Sequence, residues 1–377
     1  MDDSIKYKTI LGHQSPQVLS GGAIIGQGTY GCVFDPPLLC QTALATQKDG
    51  KVLGKLSLAW DIENEVYASK ILSDIPGADK YFILPNLNSV CVNPVPMKKQ
   101  PDQDGIEKCE PIKVFGTKEL VHYTMPFGGI TIHNVFEKNP TDVFPIRMIV
   151  THLLEGCSVL TLNGYVHYDI HANNILLDTK TQIPRLIDFG FSFASQVITD
   201  KVVNERWKVY SPSAGMEPPE ITVANGIRKG LQFDRIVKDI IRQKRPLKAV
   251  ESYCGLSRSS QLRDFVTFWN SSQASKKKDW SAFFRVYWPA FDAWGAGIII
   301  LLMYKNALNN KAIQKLSDWP VISSRIKEVL RGLLRMDPRN RIDCVEALAL
   351  FSPESSVVSS LSGRAWLQKK EEMRAEL

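Results

Sequence analysis

Two short stretches in the middle of the chain place acidic and amide side chains beside apolar runs. The first stretch, 166–177, contains Asp169 and Asn174 and ends in an Ile-Leu-Leu run, and the second, 186–191, contains Asp188. Short apolar runs are typical of buried strands, which hold polar groups rigidly at the edge of a cleft. Carboxylate and amide oxygens suit a divalent cation, and a carboxylate can also polarise a hydroxyl group. The two stretches therefore predict a site for phosphoryl transfer.

The order of these residues resembles the eukaryotic-type protein kinase family. Residues 167–169 read His-Tyr-Asp where the family has His-Arg-Asp, Asn174 follows five positions after Asp169, and residues 188–190 match Asp-Phe-Gly. The resemblance covers about residues 20–350. It implies an α+β, bilobal protein-kinase-like fold, with a small β-rich N-lobe and a larger helical C-lobe. It also implies transfer of the γ-phosphoryl group of ATP to a protein Ser or Thr hydroxyl, with Asp169 as the catalytic base and Asn174 and Asp188 holding Mg²⁺ or Mn²⁺.

A glycine-rich stretch near the N-terminus has the Gly-x-Gly-x-x-Gly spacing. Glycines let backbone N–H groups approach phosphate oxygens closely. A dinucleotide-binding fold could use the same spacing, but it needs a helix after the loop, whereas Pro36 and Pro37 favour a strand that ends in a turn. A hairpin carrying this loop is the kinase arrangement. The resemblance then implies that the nucleotide is bound by Ile25, Gly26, Gln27, Gly28, Thr29, Tyr30, Gly31, Cys32 and Val33.

A lysine and a glutamate complete the predicted nucleotide site. The stretch 52–56 resembles the family's Val-Ala-Ile-Lys strand, which implies that Lys55 contacts the phosphates. A helical pattern follows over 61–72, and the resemblance implies that one of its glutamates pairs with Lys55. Glu65 fits the apolar residues that follow better than Glu63, which is the alternative partner. We expect Lys55, Asp169, Asn174 and Asp188 to line one cleft between the two lobes.

The resemblance also sets the domain boundaries. Residues 1–20 form a lead-in, the N-lobe covers about 21–125, the C-lobe about 126–350, and a Ser-rich and helical tail 351–377. Within the N-lobe, 76–118 is interpreted as a surface insertion and 120–129 as the strand and hinge between the lobes, with Tyr123 near the back of the adenine pocket. Apolar spacing over 145–163 predicts a core helix. The tail is either a flexible tether or an autophosphorylation region.

Three later residues match structural positions of the family. Pro219 and Glu220 correspond to the end of Ala-Pro-Glu, and Glu220 is expected to pair with Arg341. Asp292 opens an Asp-x-Trp-x-x-Gly motif at the start of a long apolar helix. The resemblance implies that Asp292 hydrogen-bonds the backbone of the catalytic loop.

A long basic insertion separates Glu220 from Asp292. Residues 221–285 hold about fourteen Lys and Arg against about five acids. The net positive charge of this insertion therefore exceeds the net charge of +7 of the whole chain. The densest points are 243–245 and 275–278. The insertion, placed at about 221–287, is either a solvated helical segment or a docking surface for an acidic protein, nucleic acid or anionic lipid.

Two departures from the family keep other functions open. Ser/Thr kinases have lysine two residues after the catalytic aspartate, and this chain has His171, a pattern that also occurs in kinases of small molecules. Tyr168 replaces the arginine that binds an activation-segment phosphate, so we expect activity that does not depend on such phosphorylation. The alternatives to a protein kinase are therefore a small-molecule phosphotransferase and a nucleotide-binding pseudokinase scaffold. The second is disfavoured because Lys55, Asp169 and the cation ligands are all present.

The composition and the apolar runs indicate the compartment in which the protein is expected. The seven cysteines are scattered, which favours reduced thiols in a cytosol-like compartment. The start lacks the features of a signal peptide, and the most apolar run, 296–303, is too short to span a bilayer. The glycine-rich run with nearby Cys40 also resembles the divergent kinases of large DNA viruses. The expected location is cytoplasmic, in the host cytoplasm or the virion if the protein is viral.

Overall fold

The computed structural model describes residues 23–27, 31–40, 51–91, 107–115, 120–138 and 143–375 of the 377-residue chain. The chain divides into two compact units. The first comprises Met1–Gly128 with the short segment Ile187–Gly190, and the second comprises Gly129–Leu186 and Phe191–Leu377. The first unit is built on an antiparallel sheet and the second is mainly helical, so this is a mixed α+β protein.

A four-stranded antiparallel sheet forms the frame of the first unit. Its strands follow the order β1 (Ala23–Gln27), β2 (Gly31–Asp35), β3 (Val52–Leu58) and β4 (Leu120–Pro126). β-branched and aromatic residues in β2 and β4 suit this pleated surface. The predicted hairpin around the glycine-rich loop is confirmed. A strand rather than a helix follows that loop, so the dinucleotide-fold alternative is wrong.

Two helices accompany this sheet in the described part of the first unit, α1 (Ala59–Ser73) and α2 (Glu110–Phe115). α1 packs on β3 and β4 and buries Ile62, Ala68 and Leu72. Because these positions recur at helical spacing, one face of α1 meets the sheet. A compact apolar cluster lies between strands and α2: Cys32, Phe34, Leu38, Leu56, Leu58, Cys109 and Leu120.

The expectation of reduced thiols throughout is wrong for the first unit. Two disulfides join Cys32 to Cys109 and Cys40 to Cys91, with Cα–Cα separations of 6.1 and 6.2 Å. The paired residues lie 77 and 51 positions apart, so only the folded sheet brings them together. Disulfides are rare in reducing compartments, and the cysteine pattern therefore no longer argues for a cytosolic location. The location stays a prediction.

The second unit is organised around one long buried helix, α12 (Pro289–Asn309), which is enclosed because its apolar residues occupy every face. It packs against α4 (Ile146–Leu162), α14 (Trp319–Leu333) and α15 (Cys344–Phe351). α4 is the core helix predicted from residues 145–163. In chain order the helices of this unit are α3 (Ile132–Lys138), α4 (Ile146–Leu162), α5 (Asp200–Asn204), α6 (Pro219–Arg228), α7 (Phe233–Gln243), α8 (Arg245–Cys254), α9 (Arg258–Ser271), α10 (Gln273–Lys277), α11 (Trp280–Tyr287), α12 (Pro289–Asn309), α13 (Lys311–Gln314), α14 (Trp319–Leu333), α15 (Cys344–Phe351), α16 (Ser356–Ser359) and α17 (Leu361–Ala375).

Short strands of the second unit support the stretch that carries Asp169. β5 (Ile130–Thr131), β7 (Ile175–Leu177) and β8 (Pro184–Leu186) form one antiparallel sheet. β6 (Tyr165–Val166) pairs with β9 (Phe193–Ala194) in a second one. Of the apolar runs that the sequence indicated as strands, Ile175–Leu177 is a strand, while only Leu186 of the Leu186-Ile187 run lies in one. β6 and β7 fix the two ends of the loop that bears Asp169.

The basic insertion and the tail are both folded. The insertion forms helices α6 to α11. In the tail, Ser352 and Ser355 are buried, Ser352 Oγ lies 2.6 Å from Thr151 Oγ1, and Ser355 Oγ donates to Glu155 at 2.6 Å. Two of the tail's serines are therefore held against α4, and the role of the tail stays a prediction.

Among the helices of the described ranges, none is by itself long and apolar enough to cross a membrane. The pair α11 and α12 meets the length and composition criteria together, with a bend of 62° between them.

Candidate active site

The first unit gathers one cation and two carboxylates at the middle of its sheet. Strand register places Lys55 of β3 opposite Val33 of β2 and Tyr123 of β4. Lys55 is buried, and its ammonium forms an ion pair with Glu65 of α1 and lies 3.4 Å from Asp188 Oδ1. The predicted pairing of Lys55 with Glu65 is present.

Glu63, the alternative partner, is exposed on the far side of α1. The helix turns about 100° per residue, so two positions apart point to nearly opposite sides. Glu65, and not Glu63, is therefore the partner of Lys55. The role of the Lys55–Glu65 pair in holding phosphates stays a prediction.

Tyr123 holds the glutamate from the strand side. Its hydroxyl donates a hydrogen bond to Glu65 Oε2, while Lys55 engages Oε1. A buried ion pair is stabilising only when its remaining hydrogen-bonding atoms are satisfied, and Tyr123 satisfies one of them. The sequence placed Tyr123 near an adenine pocket and missed this contact. The signal that could have found it is the strand pairing that sets Tyr123 beside Lys55.

Asp188 stands in a constrained backbone conformation. Its φ is +64°, a region that few non-glycine residues adopt and that is common at functional sites. The following Phe189 is buried edge-on against Phe82, with ring centroids 5.7 Å apart. This packing anchors the Asp-Phe-Gly segment and fixes the direction of the Asp188 carboxylate.

The glycine-rich loop is only partly described. Gly28, Thr29 and Tyr30 lie outside the described residues. Ile25, Gly26 and Gln27 end β1, and Gly31, Cys32 and Val33 begin β2. Gly31 is required by close packing, since a Cβ there would meet Leu56 O at 2.4 Å. The Cys32 side chain is buried and disulfide-bonded, so only its backbone is available to a nucleotide.

The second unit holds the other predicted pair, Asp169 and Asn174. Asn174 Nδ2 donates to the carbonyl oxygen of Asp169 at 3.0 Å and to Asp169 Oδ2 at 3.3 Å. The Asp169 N–H donates to His167 Nδ1 at 3.3 Å, and His167 itself is fully buried. Hydrogen bonds among the motif residues therefore stabilise the loop, and they orient the Asp169 carboxylate.

Asp292 anchors this loop from the start of α12. Its two carboxylate oxygens accept the N–H groups of His167, at 2.7 Å, and Tyr168, at 2.8 Å. The expected structural role of Asp292 is confirmed. Tyr168 has a φ of +65°, and the two hydrogen bonds from this segment compensate such strain. Burial raises the pKa of Asp292, an effect that His167 and these backbone donors oppose.

Two basic side chains surround the Asp169 carboxylate. Lys208 Nζ donates to Oδ1 at 2.6 Å, and His171 Nε2 lies 3.4 Å from Oδ2. Burial alone would raise the pKa of Asp169, but the charge of Lys208 and the hydrogen bond from His171 outweigh it and hold the pKa far below its usual range. Asp169 is therefore ionised at any physiological pH. Sequence reasoning missed Lys208, which belongs to no motif.

Each unit offers oxygen atoms of the kind that Mg²⁺ prefers. In the second unit Asn174 donates hydrogen bonds from Nδ2, which leaves its carbonyl Oδ1 as the atom suited to a cation, and in the first unit Asp188 has carboxylate oxygens. Within the described ranges, no group of three or more His, Cys, Asp or Glu side chains could hold a metal ion by itself. Mg²⁺ is commonly held by one or two protein oxygens together with substrate phosphates, so the sparse protein set suits it.

The segment before α6 is fixed by buried contacts. Arg341 donates to both carboxylate oxygens of Glu220, at 2.7 and 2.9 Å, with both side chains fully buried. The predicted Glu220–Arg341 pair is confirmed. Trp294 Nε1 donates to Gly215 O at 2.9 Å, which ties the same segment to α12.

Lysines of the basic insertion divide into two kinds. Lys244 is buried and donates to Ala214 O at 2.6 Å, Glu217 O at 2.9 Å and Thr222 Oγ1 at 3.2 Å. It therefore stabilises the chain internally and does not contribute to a docking surface. Lys276 to Lys278 are exposed. A docking role for those three stays a prediction.

Comparison with known proteins adds partial similarities. Citron Rho-interacting kinase of Homo sapiens is 36% identical over 120 residues, which are 31% of this chain and 6% of that protein. Phosphorylase b kinase gamma catalytic chain, liver/testis isoform, of Homo sapiens is 26% identical over 205 residues, 54% of this chain and 38% of that protein. Serine/threonine-protein kinase fused of Drosophila melanogaster is 26% identical over 171 residues, 45% of this chain and 17% of that protein. No family model matches the chain.

These matches are weak and cover well under half the length of each relative. All three relatives are named as kinases, so the similarities support a protein-kinase-like family for this chain. The resemblance to viral kinases stays a prediction.

Proposed function

We propose that this protein is an ATP-dependent protein kinase of bilobal fold that phosphorylates Ser or Thr hydroxyls. The observation that carries the proposal is the buried Lys55, ion-paired with Glu65 and 3.4 Å from Asp188. Burying an ammonium is unfavourable unless it is paired, and a strand lysine with no ligand to bind would ordinarily remain in water. A lysine held between two carboxylates suits the phosphates of a nucleotide together with a cation.

In the proposed reaction the residues have distinct tasks. Lys55, held by Glu65, contacts the phosphates of ATP, and backbone N–H groups of the glycine-rich loop cover them. Asp188 and Asn174 hold Mg²⁺, which supplies neutralisation of phosphate charge when bound. Asp169 orients the acceptor hydroxyl and accepts its proton. Such a reaction depends on positioning and electrostatics, because the transition state requires little covalent assistance from the protein.

Two buried contacts favour a protein acceptor over a small molecule. The Glu220–Arg341 pair and the Trp294–Gly215 hydrogen bond give a fixed shape to residues 214–222. A rigid segment of this kind suits recognition of an extended peptide. The distant kinase relatives point the same way, and one of them, Serine/threonine-protein kinase fused, is a protein kinase by name.

The decisive experiment offers three acceptors at once. The purified chain is incubated with labelled ATP, Mg²⁺, a mixed protein substrate, and a panel of amino alcohols and aminoglycosides. We expect label on protein as phosphoserine and phosphothreonine, and its loss in Asp169→Ala with nucleotide binding retained. Label on small molecules alone would replace the proposal with a small-molecule phosphotransferase. Nucleotide binding without transfer to any acceptor would indicate a pseudokinase.

A further inference from the structure

A fixed positive charge is missing from the catalytic stretch itself. Position 171, two residues after Asp169, carries histidine where Ser/Thr kinases carry lysine. His171 Nε2 lies 3.4 Å from Asp169 Oδ2. An imidazole is not a permanent cation near neutral pH, unlike an ammonium. Phosphoryl transfer brings negative charge close to Asp169. The residues of the motif provide no permanent positive charge to balance it.

Lys208 brings an ammonium to this place from a distant part of the chain. Its Nζ lies 2.6 Å from Asp169 Oδ1 and 3.3 Å from the carbonyl oxygen of Tyr168. The same ammonium lies over the rings of Tyr168 and Phe191, 5.2 and 5.1 Å from their centroids. Both the Lys208 and the Asp169 side chains keep 26% of their surface exposed, so the pair borders open space that a substrate can reach.

The backbone of Lys208 is fixed independently of Asp169. Its N–H donates to Asn225 Oδ1 at 3.3 Å, and Asn225 Nδ2 donates to Glu217 Oε2 at 3.0 Å. The preceding Trp207 packs edge-on against Trp280, with centroids 5.7 Å apart. Lys208 therefore differs from a mobile surface lysine, because its backbone is held in place whether or not its side chain contacts Asp169. The contact is preorganised, which is what electrostatic catalysis requires.

We propose that Lys208 is a further catalytic residue, whose ammonium contacts the γ-phosphoryl group during transfer and aligns Asp169, supplying the charge that position 171 lacks. The proposal rests on the proposed function. In the step, a bond forms between the acceptor oxygen and phosphorus, the bond from phosphorus to the β–γ bridging oxygen breaks with its electrons leaving on ADP, and the hydroxyl proton passes to Asp169. Lys208 keeps its protons throughout and transfers none.

Proximity of Lys208 to the phosphates can be measured without turnover. An acyl-phosphate derivative of ATP transfers its acyl group to a lysine amine near the phosphates and releases ATP. After incubation with the full chain and Mg²⁺, peptide mass spectrometry should find the acyl group on Lys55 and Lys208. Lys201, exposed in the same segment on α5, is the internal control and should stay unmodified. Excess ATP should suppress both modifications.

Relocation of the charge tests the chemical role. Lys208→Met should lower kcat about 10²–10³-fold with the Kd for ATP changed less than about 3-fold, since Lys208 contacts the γ-phosphoryl group during transfer while Lys55 still contacts the phosphates of bound ATP. The double variant His171→Lys/Lys208→Met should regain at least about 10-fold of that loss. Lys201→Met is the matched control and should keep its wild-type kcat. Loss of a merely structural lysine would not be rescued from position 171.

The outcomes separate this proposal from the proposed function. If neither lysine is acylated and the wild-type chain transfers no phosphate to protein, the proposed function itself fails. If Lys55 is acylated and Lys208 is not, or if Lys208→Met keeps more than about a third of the wild-type kcat, only the role of Lys208 is overturned. Failure of the double variant to regain activity, with melting temperatures unchanged, overturns it as well.

Discussion

Each unit of the molecule buries a lysine, and the two lysines have different surroundings. Lys55 in the first unit faces two carboxylates, Glu65 and Asp188. Lys244 in the second unit donates to two carbonyl oxygens and a hydroxyl, and the charge of the buried Glu217 also acts on it. Burial lowers the pKa of Lys244 to about 8, with the charges of Glu217 and Glu220 opposing that effect. A lysine paired with carboxylates that line a site can also contact a bound anion. A lysine that donates to backbone carbonyl oxygens stabilises the segment that carries them.

The comparison predicts different losses from the same substitution. Lys55→Met should lower kcat/KM by about 10²–10³-fold, and it should also lower the free energy of unfolding because it leaves the buried Glu65 carboxylate without its cation. Steady-state kinetics and urea unfolding on one preparation measure both quantities. Glu65→Gln should also be strongly impaired, with exposed Glu63→Gln as its matched control at wild-type activity. Equal losses in the two glutamine variants would contradict the pairing as the source of the effect.

Lys244→Met should lower the free energy of unfolding without removing a residue of the proposed nucleotide site. The variant loses three hydrogen bonds and leaves the Glu217 carboxylate buried without its cation, and breaking a buried pair in this way costs about 3–5 kcal/mol. Exposed Lys248 on the following helix offers the matched control Lys248→Met. Urea unfolding measures both variants.

A second substitution sharpens the same test. Glu217→Gln removes the orphaned charge, so the double variant Lys244→Met/Glu217→Gln should lose less than the sum of the two single variants. Strict additivity would show that the two side chains do not interact and would remove the electrostatic reason for the buried lysine.

The two lysines also show which features of the site are readable from a sequence. Lys55, Asp169, Asn174 and Asp188 follow strand and loop motifs whose spacing is local, so their identification needed no knowledge of packing. The sequence places Lys244 within the basic insertion, among other cations, and gives no sign that its side chain is buried. Its burial depends on how α7 and α8 meet residues 214–222, which no local pattern encodes.

Lys208 and the disulfides were missed for the same reason. Lys208 lies 39 positions from the aspartate that it contacts, and the paired cysteines lie 77 and 51 positions apart. The strands and the core helix could be predicted, since hydrophobic period reports on local structure. Contacts between distant segments could be predicted only where the family resemblance implied them, as for Asp292 with the catalytic loop and for Glu220 with Arg341. Distant contacts outside those motifs could not be predicted, because no local pattern encodes them.

A third buried basic side chain provides a pH test. His122 of β4 is fully buried, and neither ring nitrogen has a hydrogen-bond partner in the described part of the chain. Burial lowers its pKa from 6.5 to about 4. Between these values the unfolded chain binds a proton that the folded chain does not, so the free energy of unfolding falls as pH decreases from about 6.5 to about 4, by up to about 3 kcal/mol. Below that window the contribution is constant.

Urea unfolding at several pH values measures this effect. His122→Gln should be less stable than wild type at pH 7 but should show a shallower fall between pH 6.5 and 4, because glutamine does not titrate. Parallel curves for the two proteins would show that other groups account for the acid sensitivity.

The smallest expected effect concerns phosphorylation of the segment between Asp188 and Glu220. Where a regulated kinase places arginine to bind a phosphate, Tyr168 packs its ring among Phe193, Phe284 and Phe291, at centroid distances of 5.6, 5.7 and 5.8 Å. No guanidinium at that position can receive a phosphate. The segment is instead held by Lys244, through Ala214 O and Glu217 O.

Treatment with a phosphatase should therefore change kcat less than about 2-fold, with intact-mass spectrometry to verify that phosphate has been removed. Lys244→Met serves as the comparison, because a segment that has lost its internal cation is held less firmly and an added phosphate can help to order it, so this variant should become sensitive to the treatment. A loss of more than about 10-fold in the wild-type chain would mean that phosphate, and not the buried lysine of the insertion, orders the segment. The contrast between Lys55 and Lys244 would then be limited to their hydrogen-bond partners and would not extend to a role of Lys244 in ordering the segment.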